Sequence, residues 1–142
     1  MKRIAEFTVS ESEGSTHPES FFPTGKVTRV DSLFREAVTK NGPVFESGRF
    51  RGQLLEMPEI PFESLRINSG QFCSLLTFLS SEGSKFLEPP EGEDEENIVL
   101  GLGNVDGEDI VLYAEQDNGK IHLHAAKPNE LDPRIVKFFV VG

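Results

Sequence analysis

The stretch NIVLGLGNVDGEDIVLYAEQDNGKIHLHA, residues 97–125, decides the fold. Three short apolar runs make up most of it: Asn97–Leu102, Ile110–Glu115 and Lys120–Ala125. The runs are separated by Asp106-Gly107 and by Asn118-Gly119, two dipeptides that readily adopt the positive φ angles of tight hairpin turns. Residues 97–125 therefore predict an antiparallel meander of three strands.

A fourth apolar run follows at Arg134–Val141 (RIVKFFVV), and its last four residues, Phe138–Val141, are apolar on both faces of an extended chain. Such a strand must be covered on both sides, so we expect it at the centre of the sheet. Coverage by a second copy of the chain in a homo-oligomer is the alternative. No helix of usable length separates these strands, which disfavours a parallel doubly wound sheet.

Two strands and two helices are predicted before the meander. The alternation in Lys2–Ser10 indicates a strand, and Gly48–Met57 is also extended. A helix is expected from Asp31 or Ser32, either of which can cap it, to Lys40. A second helix is expected over Gly70–Ser81, where apolar residues recur at helical spacing. The predicted fold class is α+β, with an antiparallel sheet of N-terminal strands and a three- to four-stranded meander packed on about two helices. The whole chain, residues 1–142, is expected to form a single domain.

The apolar stripe of the second helix is interpreted as a face that packs on the core. Its members are Phe72, Leu75, Leu76 and Leu79. Cys73 lies in the same run and is expected to be a small buried side chain rather than a reactive thiol. As the chain's single cysteine, it excludes an intramolecular disulfide. No stretch approaches 18 apolar residues, so the chain is expected to be cytoplasmic and to have no membrane partner.

The chain's net charge of −10 is concentrated in its second half. Residues 1–70 carry 9 basic and 10 acidic side chains, whereas residues 71–142 carry 5 basic and 14 acidic ones. Binding to a phosphate backbone depends on Lys and Arg contacts that release counterions, so nucleic acid is a poor partner. Arg49, Arg51 and Arg66 are interpreted as counterions for the acidic surface.

The densest acidic run follows Pro89 and Pro90 and is interpreted as an exposed loop. Together with the acids around the Asp106-Gly107 turn, it forms the predicted binding surface for a basic protein. The residues assigned to that surface are Glu91, Glu93, Asp94, Glu95, Glu96, Asp106, Glu108 and Asp109. Complementary charge of this kind accelerates association and fixes register.

His122 and His124 form the sharpest candidate for chemistry. A His-x-His pair on a strand projects both imidazoles from one face, where they can bind a metal. Two ligands do not make a site, and the carboxylate considered as a third, Glu130, lies beyond the strand-breaking Pro128. The remaining histidine, His17, lies far upstream. Two polar residues on a solvent-facing hairpin are the alternative interpretation, and no cofactor is predicted.

Residues 98–124 resemble the central strand-turn-strand segment of SUKH-type immunity domains. In that family a Gly/Asp-rich turn leads into an apolar strand, and a Gly-Lys-hydrophobic strand follows, as GNVDGEDIVLYAEQDNGKIHLH does here. The resemblance covers under a fifth of the chain. It implies a small cytoplasmic protein that binds and neutralises a toxin, often a nuclease.

Two classes of function remain open from the sequence. The leading hypothesis is a small, soluble, non-catalytic binding module, of the inhibitor or immunity type, for a basic protein. The alternative is a metal-binding small-molecule binder or enzyme that uses His122 and His124. The chain has no G-x-S-x-G nucleophile elbow, and only three histidines can titrate near neutral pH, so an enzyme is the less favoured class.

Overall fold

The computed structural model describes residues 2–10, 18–40, 49–67 and 69–141. Over those ranges the chain forms seven strands and two α-helices. In chain order they are β1 (Lys2–Ser10), β2 (Val27–Val30), α1 (Ser32–Lys40), β3 (Arg49–Glu56), α2 (Ser69–Leu79), β4 (Glu95–Val105), β5 (Glu108–Asp117), β6 (Lys120–Ala126) and β7 (Lys137–Val141). Short 3-10 helices lie at Pro18–Phe21, Phe62–Leu65, Ser84–Leu87 and Pro128–Glu130.

The seven strands form one sheet in the order β1-β3-β7-β4-β5-β6-β2. The α+β composition and the two helices are as predicted, but the prediction of an antiparallel sheet is wrong because the sheet is mixed. Strand β7 is parallel to β4, and β2 is parallel to β6. The reason for the first difference is the connection 127–136, which crosses one face of the sheet and places β7 between β3 and β4. Strand β2 is short and was not predicted from the sequence.

The meander β4-β5-β6 forms as predicted, and its two turns fix the register. Asp106 and Gly107 have φ angles of 52° and 86°, and Asn118 and Gly119 have φ angles of 49° and 82°. These left-handed conformations at both central positions define two-residue hairpin loops of the type that Asn-Gly and Asp-Gly favour. The loops pair Val105 with Glu108 and Asp117 with Lys120.

Apolar side chains cover both faces of the sheet. On one face, the predicted stripe of α2 and the buried Phe34 of α1 pack with Ile98, Leu123 and Phe139. Cys73 is buried in this layer, as expected. On the other face, a smaller layer contains Leu65, Ile135 and Phe138, residues supplied by β7 and by the connections that cross the sheet.

Helix α1 begins as predicted, but the side chain of Asp31 has another role than capping it. The Asp31 carbonyl accepts the Arg35 N–H at 3.2 Å, which places Asp31 at the N-cap position. Its carboxylate instead accepts the Ala125 N–H at 3.2 Å and so continues the ladder between β2 and β6. Within the described residues, no helix is both long and apolar enough to cross a membrane.

Candidate functional site

The eight acids assigned to the binding surface lie at opposite ends of the β4–β5 hairpin. Glu95 is opposite Asp117 at one end, and Val105 is opposite Glu108 at the other. Ten residue steps along an extended strand span about 33 Å. The structure therefore divides these acids into a group at residues 91–96 and a group at residues 106–109, and it does not bring them onto one contiguous face.

The acids at residues 106–109 are partly neutralised by local ion pairs. Asp109 accepts two hydrogen bonds from Arg66, at 2.9 and 3.0 Å, and Arg66 also contacts Glu63. These bonds from Arg66 lower the pKa of Asp109 and raise that of the guanidinium. Glu108 lies 3.5 Å from the ammonium group of Lys127. Arg66 is thus a counterion of the acidic surface, as predicted.

Four of the five acids at residues 91–96, those from Glu93 to Glu96, border a wide groove of about 940 Å³ at the other end of the sheet. The loop prediction is correct for residues 91–94, whereas Glu95 and Glu96 belong to β4. Among the residues that the structure describes, seven acids line the groove: Glu56, Glu93, Asp94, Glu95, Glu96, Asp117 and Asp132. Its two lining cations, Arg134 and Lys137, bind Asp132 at 2.7 Å and Glu96 at 2.8 Å.

The hairpin register places Glu115 of β5 directly opposite His122 of β6. The Glu115 Oε1 atom lies 2.8 Å from His122 Nδ1 and 3.4 Å from His124 Nε2. One ligand atom from each of these three residues lies within 4.8 Å of the other two. Their neighbours Leu123 and Ala114 point into the core on the opposite face, so the period of two in the strands directs all three polar side chains to the same face.

Asp31 and Tyr113 flank this cluster. Asp31 Oδ2 lies 3.1 Å from His124 Nδ1, the ring nitrogen that faces away from Glu115. The Tyr113 ring lies beside the His124 ring, with a centroid separation of 5.2 Å. Burial raises the pKa of Tyr113, and the charge of Asp31 raises it further. Hydrogen bonding by His122 lowers the pKa of Glu115.

Sequence reasoning found the two histidines and missed Glu115 and Asp31. Glu130, the carboxylate considered from the sequence, lies exposed in the 3-10 helix Pro128–Glu130 after β6 has ended. The Asn118-Gly119 turn could have identified Glu115 from the sequence. A two-residue loop pairs residues that lie at equal distances before and after it, and Glu115 and His122 are such a pair. No such local signal marks Asp31, which is 93 residues from His124. His17 lies outside the described residues.

Comparison of the chain with protein-family models, with curated proteins and with solved structures gives no match.

Proposed function

We propose that the protein is a non-catalytic binding module whose acidic groove receives a basic segment of a partner protein. The observation that carries this proposal is the charge of the groove. Within the described part of the chain, seven acids line the groove, and its two cations are already engaged by two of those acids. Five carboxylates therefore remain in excess on one concave surface. A concave surface of one sign focuses the electrostatic field and raises the rate at which a partner of opposite charge associates.

The chemistry of the groove favours a Lys- or Arg-containing segment over other ligands. Glu93, Asp94 and Glu95 are exposed and can approach a cation without losing much hydration. Exposed ion pairs contribute about 0.2–1 kcal/mol each, so affinity must come from several of them acting together. A phosphate-bearing ligand would be repelled by the same side chains.

An inhibitor or immunity-type role is the form of this function that we favour. The basic surfaces of nucleases bind phosphate backbones, and an acidic groove offers such a surface an alternative partner. The resemblance of residues 98–124 to SUKH-type immunity domains points to the same role. In this proposal the acids at residues 106–109 contribute general negative charge and lie outside the contact surface.

A pull-down at low and at high salt, with two matched variants, tests the proposal. The groove variant carries Glu93→Gln, Asp94→Asn and Glu95→Gln, and the control variant carries Asp106→Asn, Glu108→Gln and Glu130→Gln. Both remove three negative charges, but none of the three control residues lines the groove. We expect the wild type and the control to retain a basic protein at low salt and to release it at high salt, because salt screens exposed charges.

A fluorescence-anisotropy titration with a short Lys/Arg-rich peptide provides the quantitative measurement. Removing three exposed ion pairs should weaken binding by the groove variant roughly tenfold relative to the control. Equal retention and equal affinity for the two variants would show that only net charge matters. Failure of the wild type to retain any basic protein at low salt would also refute the proposal.

A further inference from the structure

Glu115, His122 and His124 form a polar cluster on β5 and β6. These residues supply one carboxylate and two imidazoles from adjacent strands, and they do so on one face. Two imidazoles and one carboxylate form the donor set found in catalytic zinc sites and in non-haem iron sites. The inference is independent of the proposed binding of a basic partner.

The ligand atoms of the cluster lie close to the spacing of ligands that share a metal ion. With metal–ligand bonds of about 2.1 Å, two ligand atoms at tetrahedral or octahedral angles lie about 3.0–3.4 Å apart. Glu115 Oε1 lies 2.8 Å from His122 Nδ1 and 3.4 Å from His124 Nε2. One ring nitrogen of His122 and one of His124 lie within 4.8 Å of each other, so a shift of at most about 1.5 Å brings that pair to the same spacing. Rotation about the broad χ2 torsion of the partly exposed His122 can supply that shift.

Asp31 prepares His124 to act as a ligand. Asp31 Oδ2 already accepts the Ala125 N–H, so it is an acceptor toward His124 Nδ1 as well. His124 therefore donates its Nδ1–H to Asp31, and its Nε2 lone pair in the neutral ring points toward Glu115 Oε1. A carboxylate that binds the outer nitrogen of a histidine is the usual support for a metal ligand, because it fixes the tautomer and raises the basicity of the ring.

Two acceptors that face each other across 3.4 Å require a cation between them or a proton on one of them. A proton would make the contact between His124 and Glu115 an ordinary ion pair, which is the competing explanation for the geometry. A metal ion would satisfy the carboxylate and both imidazoles at once. We propose that Glu115, His122 and His124 bind a divalent first-row transition metal ion such as Zn²⁺, with Asp31 as the positioning residue for His124.

The proposed site leaves part of the coordination sphere open. Three protein ligands occupy three positions of a four- to six-coordinate ion, and solvent or a small ligand would complete it. About a quarter of the His122 and Glu115 side-chain surface is exposed, at 26% each, whereas His124 is 14% exposed. The site is thus accessible from the solvent side, and Tyr113 forms one wall beside His124.

Titration of the full chain with Zn²⁺ by calorimetry, and with Co²⁺ by visible absorption, tests the proposal. We expect one ion per chain and Co²⁺ ligand-field bands that Zn²⁺ removes. Glu115→Gln and His124→Gln should each weaken Zn²⁺ binding by more than about 100-fold, since each removes a ligand. Asp31→Asn should weaken it by about 10- to 100-fold, the range typical of losing a supporting carboxylate.

Three control variants separate this site from adventitious binding. Glu130→Gln makes the same chemical change as Glu115→Gln outside the cluster, and His17→Gln removes the third histidine of the chain. Both should bind Zn²⁺ as the wild type does. The groove variant should also keep its metal site, so failure of the metal proposal and failure of the proposed function can be told apart.

Two results would overturn the inference. One is the absence of binding of Zn²⁺, Co²⁺ and Ni²⁺ to the wild type. The other is wild-type affinity in Glu115→Gln, which would assign any bound ion to surface histidines alone. Circular dichroism of each variant checks that the hairpin is intact, and His122→Gln supplies a further ligand deletion if one of the other variants does not fold.

Discussion

Phe138 and Phe139, consecutive residues of β7, are buried on opposite faces of the sheet, with 0% and 1% of their surface exposed. Phe139 packs in the layer that contains the helices, and Phe138 packs with Leu65 and Ile135 on the other face. A strand that places a phenylalanine in each layer needs cover on both sides. The two apolar layers provide that cover within one chain, and pairing with β3 and β4 satisfies both edges of the strand.

Truncation of either phenylalanine should be strongly destabilising. We expect Phe138→Ala and Phe139→Ala each to lower the free energy of unfolding by about 3–5 kcal/mol, because each leaves a large cavity in a closed layer. Urea denaturation followed by circular dichroism measures the change. Ile4→Ala is the control, since Ile4 is 39% exposed, and it should cost less than about 1 kcal/mol. Phe138→Leu is a milder variant if the alanine form does not fold. A urea midpoint equal to that of the wild type for Phe138→Leu would contradict tight packing in the layer of Leu65, Ile135 and Phe138.

The ion pair between Lys137 and Glu96 should stabilise the edge of the groove. The two groups are 2.8 Å apart, with 24% and 11% of their side-chain surface exposed. Lys137→Met leaves the Glu96 carboxylate largely buried without its partner and should cost about 1–3 kcal/mol. The double variant Lys137→Met/Glu96→Gln should recover part of this loss in a double-mutant cycle. Strict additivity of the two changes would show that the pair contributes nothing.

The carboxyl group of Asp132 should titrate far below its ordinary range. Hydrogen bonds from the Arg134 side chain lower the pKa of Asp132 from 3.8 to about 2. Because the folded-state pKa is depressed, the stabilising contribution is present above about pH 3.8 and is lost as the pH falls towards 2. NMR titration of the Asp132 side-chain carbonyl measures the midpoint. Arg134→Gln should return the midpoint towards the ordinary value, and high salt should have a partial effect since both groups are exposed. An unchanged midpoint in Arg134→Gln would assign the shift to another cause.

The turn between β5 and β6 should depend on the backbone of Gly119. Gly119 has a φ of 82°, and a Cβ placed there would meet open space, so only conformational strain opposes a side chain. Gly119→Ala should therefore cost about 1–2 kcal/mol of unfolding free energy. Asn118→Gly, at the neighbouring position with a φ of 49°, is the control and should change stability by less than about 0.5 kcal/mol. Equal effects of the two substitutions in thermal or urea denaturation would argue against this turn geometry.

Local chemistry made much of the fold predictable from the sequence. The Asp106-Gly107 and Asn118-Gly119 turns, the helical spacing of α2 and the alternation in β1 each depend on the conformational preferences of a few adjacent residues. Those preferences act before any distant contact forms, so the elements lie where the sequence indicates. The meander also brings Glu115 opposite His122, a pairing that the two-residue turn dictates.

The arrangement of these elements was decided only by tertiary structure. The run Arg134–Val141 indicated a strand that must be covered, but its pairing between β3 and β4 depends on which long-range contacts bury both of its phenylalanines. The same is true of Asp31, which reaches His124 because β2 joins the edge of β6. The distribution of charge also has a sequence part and a structural part. The sequence alone determined that residues 82–117 carry 12 acids against one lysine. The length of the β4–β5 hairpin then separated the acids of the predicted binding surface between its two ends.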